Sequence, residues 1–211
     1  MSRYVGPSCR LCRREGVKLF LKGTKCLTEK CPVERRTYAP GQHGQSGGRQ
    51  RKASEYAKQM REKQKVKRMY GLSERQFRRY FAMADRARGV TGETLLQLLE
   101  RRLDNIVYRM GFAASRKAAR QLIVHGHVEV NGHRVDIPAY RAVPGEEVRV
   151  APGSRDNTSV RVAQESASRG QPVSWLSVDA DKASGRVLER PTRDAIPINA
   201  QEQLIVELYS K

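Results

Sequence analysis

All four cysteines of this chain lie between residues 9 and 31, and they limit what its amino-terminal segment can fold into. Two residues separate Cys9 from Cys12, four separate Cys26 from Cys31, and thirteen lie between the pairs. Two short turns of this kind bring four thiolates to one ion. That donor set suits tetrahedral Zn2+, or alternatively a [4Fe-4S] cluster, and spacing alone leaves both open. A thioredoxin-like redox pair would need a βαβ context around one CxxC, and none is legible here. With every coordination position taken by protein thiolate, such a site is closed and therefore structural. Arg10, Arg13, Arg14, Lys18, Lys22, Lys25 and Lys30 are interleaved with the cysteines. A metal would fold a segment poor in apolar residues and fix these cations for phosphate, while some of them would offset the charge of the thiolates.

The formal net charge is +19, and it is unevenly spread. Residues 1–70 carry 19 Lys and Arg against 5 Asp and Glu, and residues 71–211 carry 22 against 17. A basic excess so concentrated calls for a polyanion, and nucleic acid is the expected partner. No apolar stretch approaches the roughly 20 residues that a bilayer span needs. The opening MSRYVGPSCR has charge but no apolar run of the secretory type. The expectation is a cytoplasmic protein with no membrane partner, whose thiols stay reduced, which disfavours disulfides.

Between Arg35 and Lys52 the chain reads RRTYAPGQHGQSGGRQRK, rich in glycine and polar residues, which argues against helix and strand. It is either a flexible linker or an extended arm that orders against RNA. In the second case Tyr38 and His43 offer stacking surfaces, and Arg35, Arg36, Arg49, Arg51 and Lys52 meet phosphates. A helix capped by Ser54 then runs to Tyr70, with Gly71 as its stop; its charges are nearly all positive, so one face should be wet or RNA-facing. Ser73 opens a second helix in a capping-box pattern, with Phe77, Tyr80, Phe81 and Ala84 at core spacing. A third is expected to run unbroken from Thr91 to Met110 and to end at Gly111.

SRKAARQLIVHGHVEVNGHRVD follows. Ser115 caps a short helix that turns Ala118, Ala119, Leu122 and Ile123 inward. Arg116, Lys117, Arg120 and Gln121 are then expected to face outward, and Gly126 stops the helix. Asn131-Gly132 between two strand-like runs is a strong hairpin signal. A basic helix beside a tight hairpin makes a grip on folded RNA, where phosphate and 2′-hydroxyl contacts dominate. His125, His127 and His133 are close in sequence with no carboxylate cluster, so phosphate and backbone contacts suit them better than metal. Asp104, among Arg101, Arg102 and Arg109, reads as an ion-pair or scaffold residue, not a catalytic acid. Glu146–Val150 reads as a strand. Beyond Ala151 a short polar helix is expected, then strands in PVSWLSVD, GRVLERP and EQLIVELYS, with Trp175 as a core anchor.

RYxGPxCRLCRREG, ERRTYAPGQHG, KQKxxxMYGxSERQF, RLDNIVYRMGF, SRKAARQLIVHGHVEVNGHRVDIPAYR, SWLSVD and QLIVELYSK together resemble the bacterial small-subunit ribosomal protein four (uS4) family, in its four-cysteine form, over essentially the whole chain. The resemblance implies an α+β architecture. A metal-bound segment and basic arm would span 1–52, an all-helical domain 53–98 and 160–211, and an inserted RNA-binding module 99–159, with helices packed on a small, mainly antiparallel sheet. It also implies a primary binder of 16S ribosomal RNA at a multi-helix junction of the 5′ domain, which nucleates assembly of the small-subunit body. Ribosomal protein five and mRNA near the entry channel would be neighbours, and translational accuracy a consequence. Through the matching motifs, Arg3, Tyr4, Asn131 and Arg134 join the expected RNA contacts. Many relatives lack the cysteines, so metal is not needed for the family's central role.

The module also recurs in RNA-modifying enzymes, which makes an accessory module of an RNA-processing enzyme the alternative. Against catalysis, the chain shows no Gly-rich phosphate loop, no nucleophile elbow and no further domain of catalytic size. No small-molecule substrate is expected. A zinc-finger DNA regulator would need a finger helix with base-reading residues, which the cysteine pairs here lack.

Overall fold

A computed structural model of the protein describes residues 4–45, 54–167 and 173–210. The helices among them are α1 (Ser8–Glu15), α2 (Pro32–Arg35), α3 (Glu55–Met69), α4 (Glu74–Asp85), α5 (Thr91–Glu100), α6 (Leu103–Arg109), α7 (Arg116–Val124), α8 (Thr158–Ala167) and α9 (Glu202–Tyr209). The strands are β1 (Val128–Val130), β2 (His133–Arg134), β3 (Glu147–Val150), β4 (Leu176–Asp179) and β5 (Ser184–Val187). The chain forms two compact units, one of Met1–Gly92 with Asn199–Lys211 and the other of Glu93–Ile198.

In the first unit, serine caps start the long helices as their sequences predict. Ser54 Oγ accepts from the Ala57 amide and Ser73 Oγ from the Gln76 amide, both at 3.3 Å. Such a cap stabilises a helix by about 1 kcal/mol. Phe77, Tyr80, Phe81 and Ala84 form the buried face of α4, so these aromatics are core. The Tyr209 ring closes on them, its centroid 4.6 Å from that of Phe81. Tyr209 belongs to α9, and this corrects the expected strand in EQLIVELYS. Ile205 is buried, Glu207 accepts from Gln59 at 3.0 Å, and α9 packs along α3. Ile205 and Tyr209, one helical turn apart, both face the unit's interior, and this packing overrides the β-type character of Ile205 and Val206.

The second unit holds a five-stranded sheet in the order β2-β1-β3-β5-β4, with every pairing antiparallel. Val128 pairs with Val150 and Val130 with Val148, so one sheet face is a valine surface. It is buried with Ile106, Val107, Leu122, Ile123 and Trp175 in one core. Asn131 (φ 50°) and Gly132 (φ 82°) turn the β1–β2 hairpin, as the sequence predicts. Backbone positive at both positions is what a two-residue hairpin turn needs.

Two expectations change here. Residues 160–198 were expected with the helical domain and 99–159 as the whole insert. Instead β5 pairs with β3, with Glu147 opposite Arg186, and Val160, Trp175 and Val187 lie in the sheet's core. The helix expected from Thr91 to Met110 is broken between α5 and α6. Arg102 takes extended backbone (φ −67°, ψ 138°) and bridges to Arg141. The Leu103 amide donates to the Tyr140 carbonyl at 2.8 Å, and the Ala142 amide to the Arg101 carbonyl at 3.0 Å. A neighbouring loop has captured hydrogen bonds that an unbroken helix would have kept.

Candidate nucleic-acid interface

The amino-terminal lobe is built around its cysteines. Cys9 and Cys12 lie on α1, one turn apart. Cys26 ends a 3-10 turn (Gly23–Cys26), and Cys31 stands at the N-cap of α2. Cys12, Cys26 and Cys31 are buried and Cys9 is partly exposed; Cys12 packs with Leu19 and Leu21 in a small apolar cluster. Burial pushes the Cys12 thiol up, and negative charge on Cys26, Cys9 and Cys31 would push it further, against a backbone hydrogen bond from Leu19. Cys26 is raised in the same way, against backbone hydrogen bonds from Lys22 and Leu21. Backbone amides are thus directed at the Cys12 and Cys26 sulfurs. Among the described residues, however, no three Cys, His, Asp or Glu side chains are grouped as a set that could hold an ion.

The lobe divides its cations into two kinds. Arg10, Arg14, Lys22, Arg35 and Arg36 are exposed. Lys18 is ion-paired with Glu34. Arg13 faces the arm: its Nε donates to the Tyr38 carbonyl at 3.1 Å and its terminal nitrogen to the Ala39 carbonyl at 3.3 Å. Its guanidinium also sits 4.7 Å from the Tyr38 ring centre. Arg13 and Tyr38, each expected to touch RNA, also hold the start of the arm. Beyond them the chain turns, with the Gly44 amide donating to Gly41 at 3.2 Å, and leaves His43 exposed. A Cβ on Gly44 would stand 1.8 Å from the Ala39 carbonyl oxygen, so only glycine fits this turn. Tyr4 is exposed, its hydroxyl donating to the Pro7 carbonyl at 3.2 Å. Arg3, Arg49, Arg51 and Lys52 lie outside the described residues.

The basic face expected on α3 is occupied by the protein itself. Lys58 pairs with Glu55, Lys65 with Glu62, Lys63 and Lys67 with Glu74, and Arg61 and Arg68 with Glu15. Every Lys and Arg of the helix is thereby used. The Glu15 side chain is only 2% exposed, and its burial raises the carboxyl's pKa despite Arg68 and Arg61 beside it.

Around α7 the outward set is smaller than its sequence suggests. Glu100 is buried and accepts from Asn105 Nδ2 at 2.6 Å and from Arg109 at 2.8 and 3.0 Å. Arg116 Nε donates to Asn105 Oδ1 at 2.7 Å, leaving its side chain 11% exposed. Arg116 is therefore an inward anchor, which corrects its expected outward position. Asp104 accepts from Arg102 at 2.6 and 3.0 Å, the ion pair its sequence suggested, and Arg120 approaches it at 4.0 Å. Arg120 is thus turned toward a carboxylate and only partly exposed. The Ser115 hydroxyl caps α7, accepting from Ala118 at 3.3 Å. Asn131 Oδ1 accepts from the Glu147 amide at 2.9 Å and so braces the hairpin.

What stays accessible is Lys117, Gln121, His125, Asn131, His133 and Arg134. Arg134 donates to the His125 carbonyl at 3.2 Å, tying the hairpin to the end of α7. Gln121, His125 and His127 share a recess of about 140 Å3 with Asn157 and Ser159, two residues that belong to no motif in the sequence. A second unforeseen feature is an arginine cluster. Arg101 is pushed down by burial and then by the charges of Arg190 and Arg141, with Glu146 the nearby counter-charge. Those three residues are far apart in sequence, so no local signal could have joined them.

Residues 3–100 match the family described as Ribosomal protein S4/S9 N-terminal domain, and residues 101–148 match the S4 domain. The chain is 58% identical to Small ribosomal subunit protein uS4A of Symbiobacterium thermophilum over 211 residues, all of both chains. It is 56% identical to Small ribosomal subunit protein uS4 of Natranaerobius thermophilus, again over the whole of both chains. The uS4 protein of Thermus thermophilus is 54% identical, also with full coverage of both.

Proposed function

The chain belongs to the small ribosomal subunit protein uS4 family and is a structural ribosomal protein, not an enzyme, and from that premise we propose that it is a primary binder of 16S ribosomal RNA. It grips a multi-helix junction of the 5′ domain, nucleates assembly of the small-subunit body, and lies beside ribosomal protein five near the mRNA entry, where it contributes to accuracy. One observation carries the reading: the protein pairs each cation of α3 with a carboxylate of its own yet leaves Arg10, Arg14, Lys22, Arg35, Arg36, Lys117 and Arg134 exposed. Cations held outward on folded scaffolds suit phosphate. No described helix is long and apolar enough to cross a membrane.

The test is the salt dependence of binding to a transcript of the 16S 5′ domain. With about 6 phosphate contacts, affinity should fall on the order of a thousandfold between 50 and 200 mM salt. An affinity that barely moves would overturn the electrostatic reading.

For the cysteines, the proposal is a closed structural site in which Cys9, Cys12, Cys26 and Cys31 hold Zn2+, with a [4Fe-4S] cluster as the competitor. The four thiols, three of them buried, and the amides directed at Cys12 and Cys26 support it. A bound dication would supply cross-linking and charge, nothing catalytic. Elemental analysis and an absorption spectrum decide: one zinc per chain is expected, visible absorbance would favour the cluster, and no metal would sink both.

A further inference from the structure

We propose that the recess between α7 and the start of α8 takes a single unstacked RNA base; this rests on the RNA-binding reading above. Its floor is apolar, made by Ala113, Ala118 and Leu122, and its wall is polar, made by Gln121, His125, His127 and Asn157. At about 140 Å3 it is close to the roughly 150 Å3 cavity known to accept benzene, which is the scale of one planar ring. A flat ring against apolar side chains, with hydrogen-bonding groups reaching its edge, is how proteins hold a base taken out of its stack.

The polar groups are oriented for that use. His127 Nδ1 is engaged with Ser154 Oγ at 2.8 Å, which leaves Nε2 for a ligand. Asn157 Oδ1 accepts from the Ser159 amide at 3.0 Å, so its Nδ2 is the group on offer. Both ring and amide are therefore held by the protein before any ligand arrives. No acidic side chain lines the recess. Arg134, bonded to the His125 carbonyl at 3.2 Å, and exposed Lys117 on α7 flank it with positive charge for the phosphates on either side of a base. A neutral metabolite would have no use for these cations; a nucleotide within an RNA strand would.

The experiment uses the full chain and a 16S 5′-domain transcript, with base-edge probing by dimethyl sulfate and a carbodiimide, and backbone footprinting by hydroxyl radical. Ala118→Phe fills the recess, and Gln121→Ala with Asn157→Ala removes edge contacts without adding bulk. Both should restore reactivity at one unpaired base that the wild-type chain protects. Affinity should drop roughly 5- to 100-fold, the range expected for about two hydrogen bonds lost to one base, with the backbone footprint retained. If the filled variant fails to fold, as a thermal melt would show, the double alanine variant decides. Wild-type protection and affinity in that variant would overturn the proposal. A wild-type chain that leaves no footprint at all would instead overturn the RNA-binding reading itself.

Discussion

Arg116 donates through Nε to Asn105 Oδ1 at 2.7 Å, and its guanidinium lies 4.6 Å from the centre of the Tyr108 ring. The next residue, Lys117, is exposed. Two neighbouring cations in one basic helix thus have different work: the first ties α7 to α6, and the second is presented to solvent. Arg116→Ala should destabilise the fold by about 2–3 kcal/mol, because it removes a charge-assisted bond and leaves Asn105 and Glu100 short of a partner. Lys117→Ala should leave stability within about 0.5 kcal/mol while lowering RNA affinity and reducing the salt slope by about 1. Urea unfolding and RNA titration of both variants separate the two roles.

The arm depends on a close backbone approach. With a Cβ on Gly44 only 1.8 Å from the Ala39 oxygen, Gly44→Ala must open the turn that carries His43. Arg13 would still hold Tyr38 and Ala39, so the rest of the lobe should keep its structure. The expected outcome is faster amide exchange confined to residues 41–45 and weaker RNA binding, with an unchanged unfolding midpoint. Exchange spreading into α1 would show that the turn supports the lobe as well.

Glu74 ties α3, α4 and α9 together, accepting from Lys63 at 2.8 Å, Lys67 at 2.8 Å and the Tyr209 hydroxyl at 2.9 Å. Burial would raise its carboxyl, but the bonds from Lys63, Lys67 and Tyr209 outweigh burial and hold it at about 2 against an ordinary 4.5. Tyr209 is pushed up by burial and then by Glu74, so its hydroxyl stays protonated and donates. A depressed carboxyl stabilises the folded state above its unfolded pKa, and that contribution is lost as pH falls from about 4.5 through 2. Discounted for partial exposure, it is worth about 1–2 kcal/mol. Glu74→Gln should therefore be less stable than wild type at pH 7, with the gap closing below pH 4.5. Urea midpoints of both chains between pH 7 and 3 check it; a gap independent of pH would mean the charge is not what matters.

Much of the fold is decided locally, and that part was legible from the residues alone. Ser54, Ser73 and Ser115 cap helices because each hydroxyl needs only an amide three residues on. Asn131-Gly132 turns a hairpin because its backbone tolerates positive φ, and Phe77 to Ala84 repeat with the period of one buried helix face. The concentration of positive charge in the first third of the chain points to a polyanion. What only the tertiary structure decided are choices between partners distant in sequence. The Tyr140 and Ala142 backbone broke the helix at Arg102, α3 kept Glu202–Tyr209 helical, and β3 claimed β5 for the sheet. The same holds for the interface. Whether an arginine meets RNA or a buried carboxylate depends on which acid the fold brings within reach, and for Arg61, Arg68 and Arg116 that acid or amide lies 11 to 53 residues away. A basic run records how much positive charge the chain carries; packing determines how much of it is left for a partner.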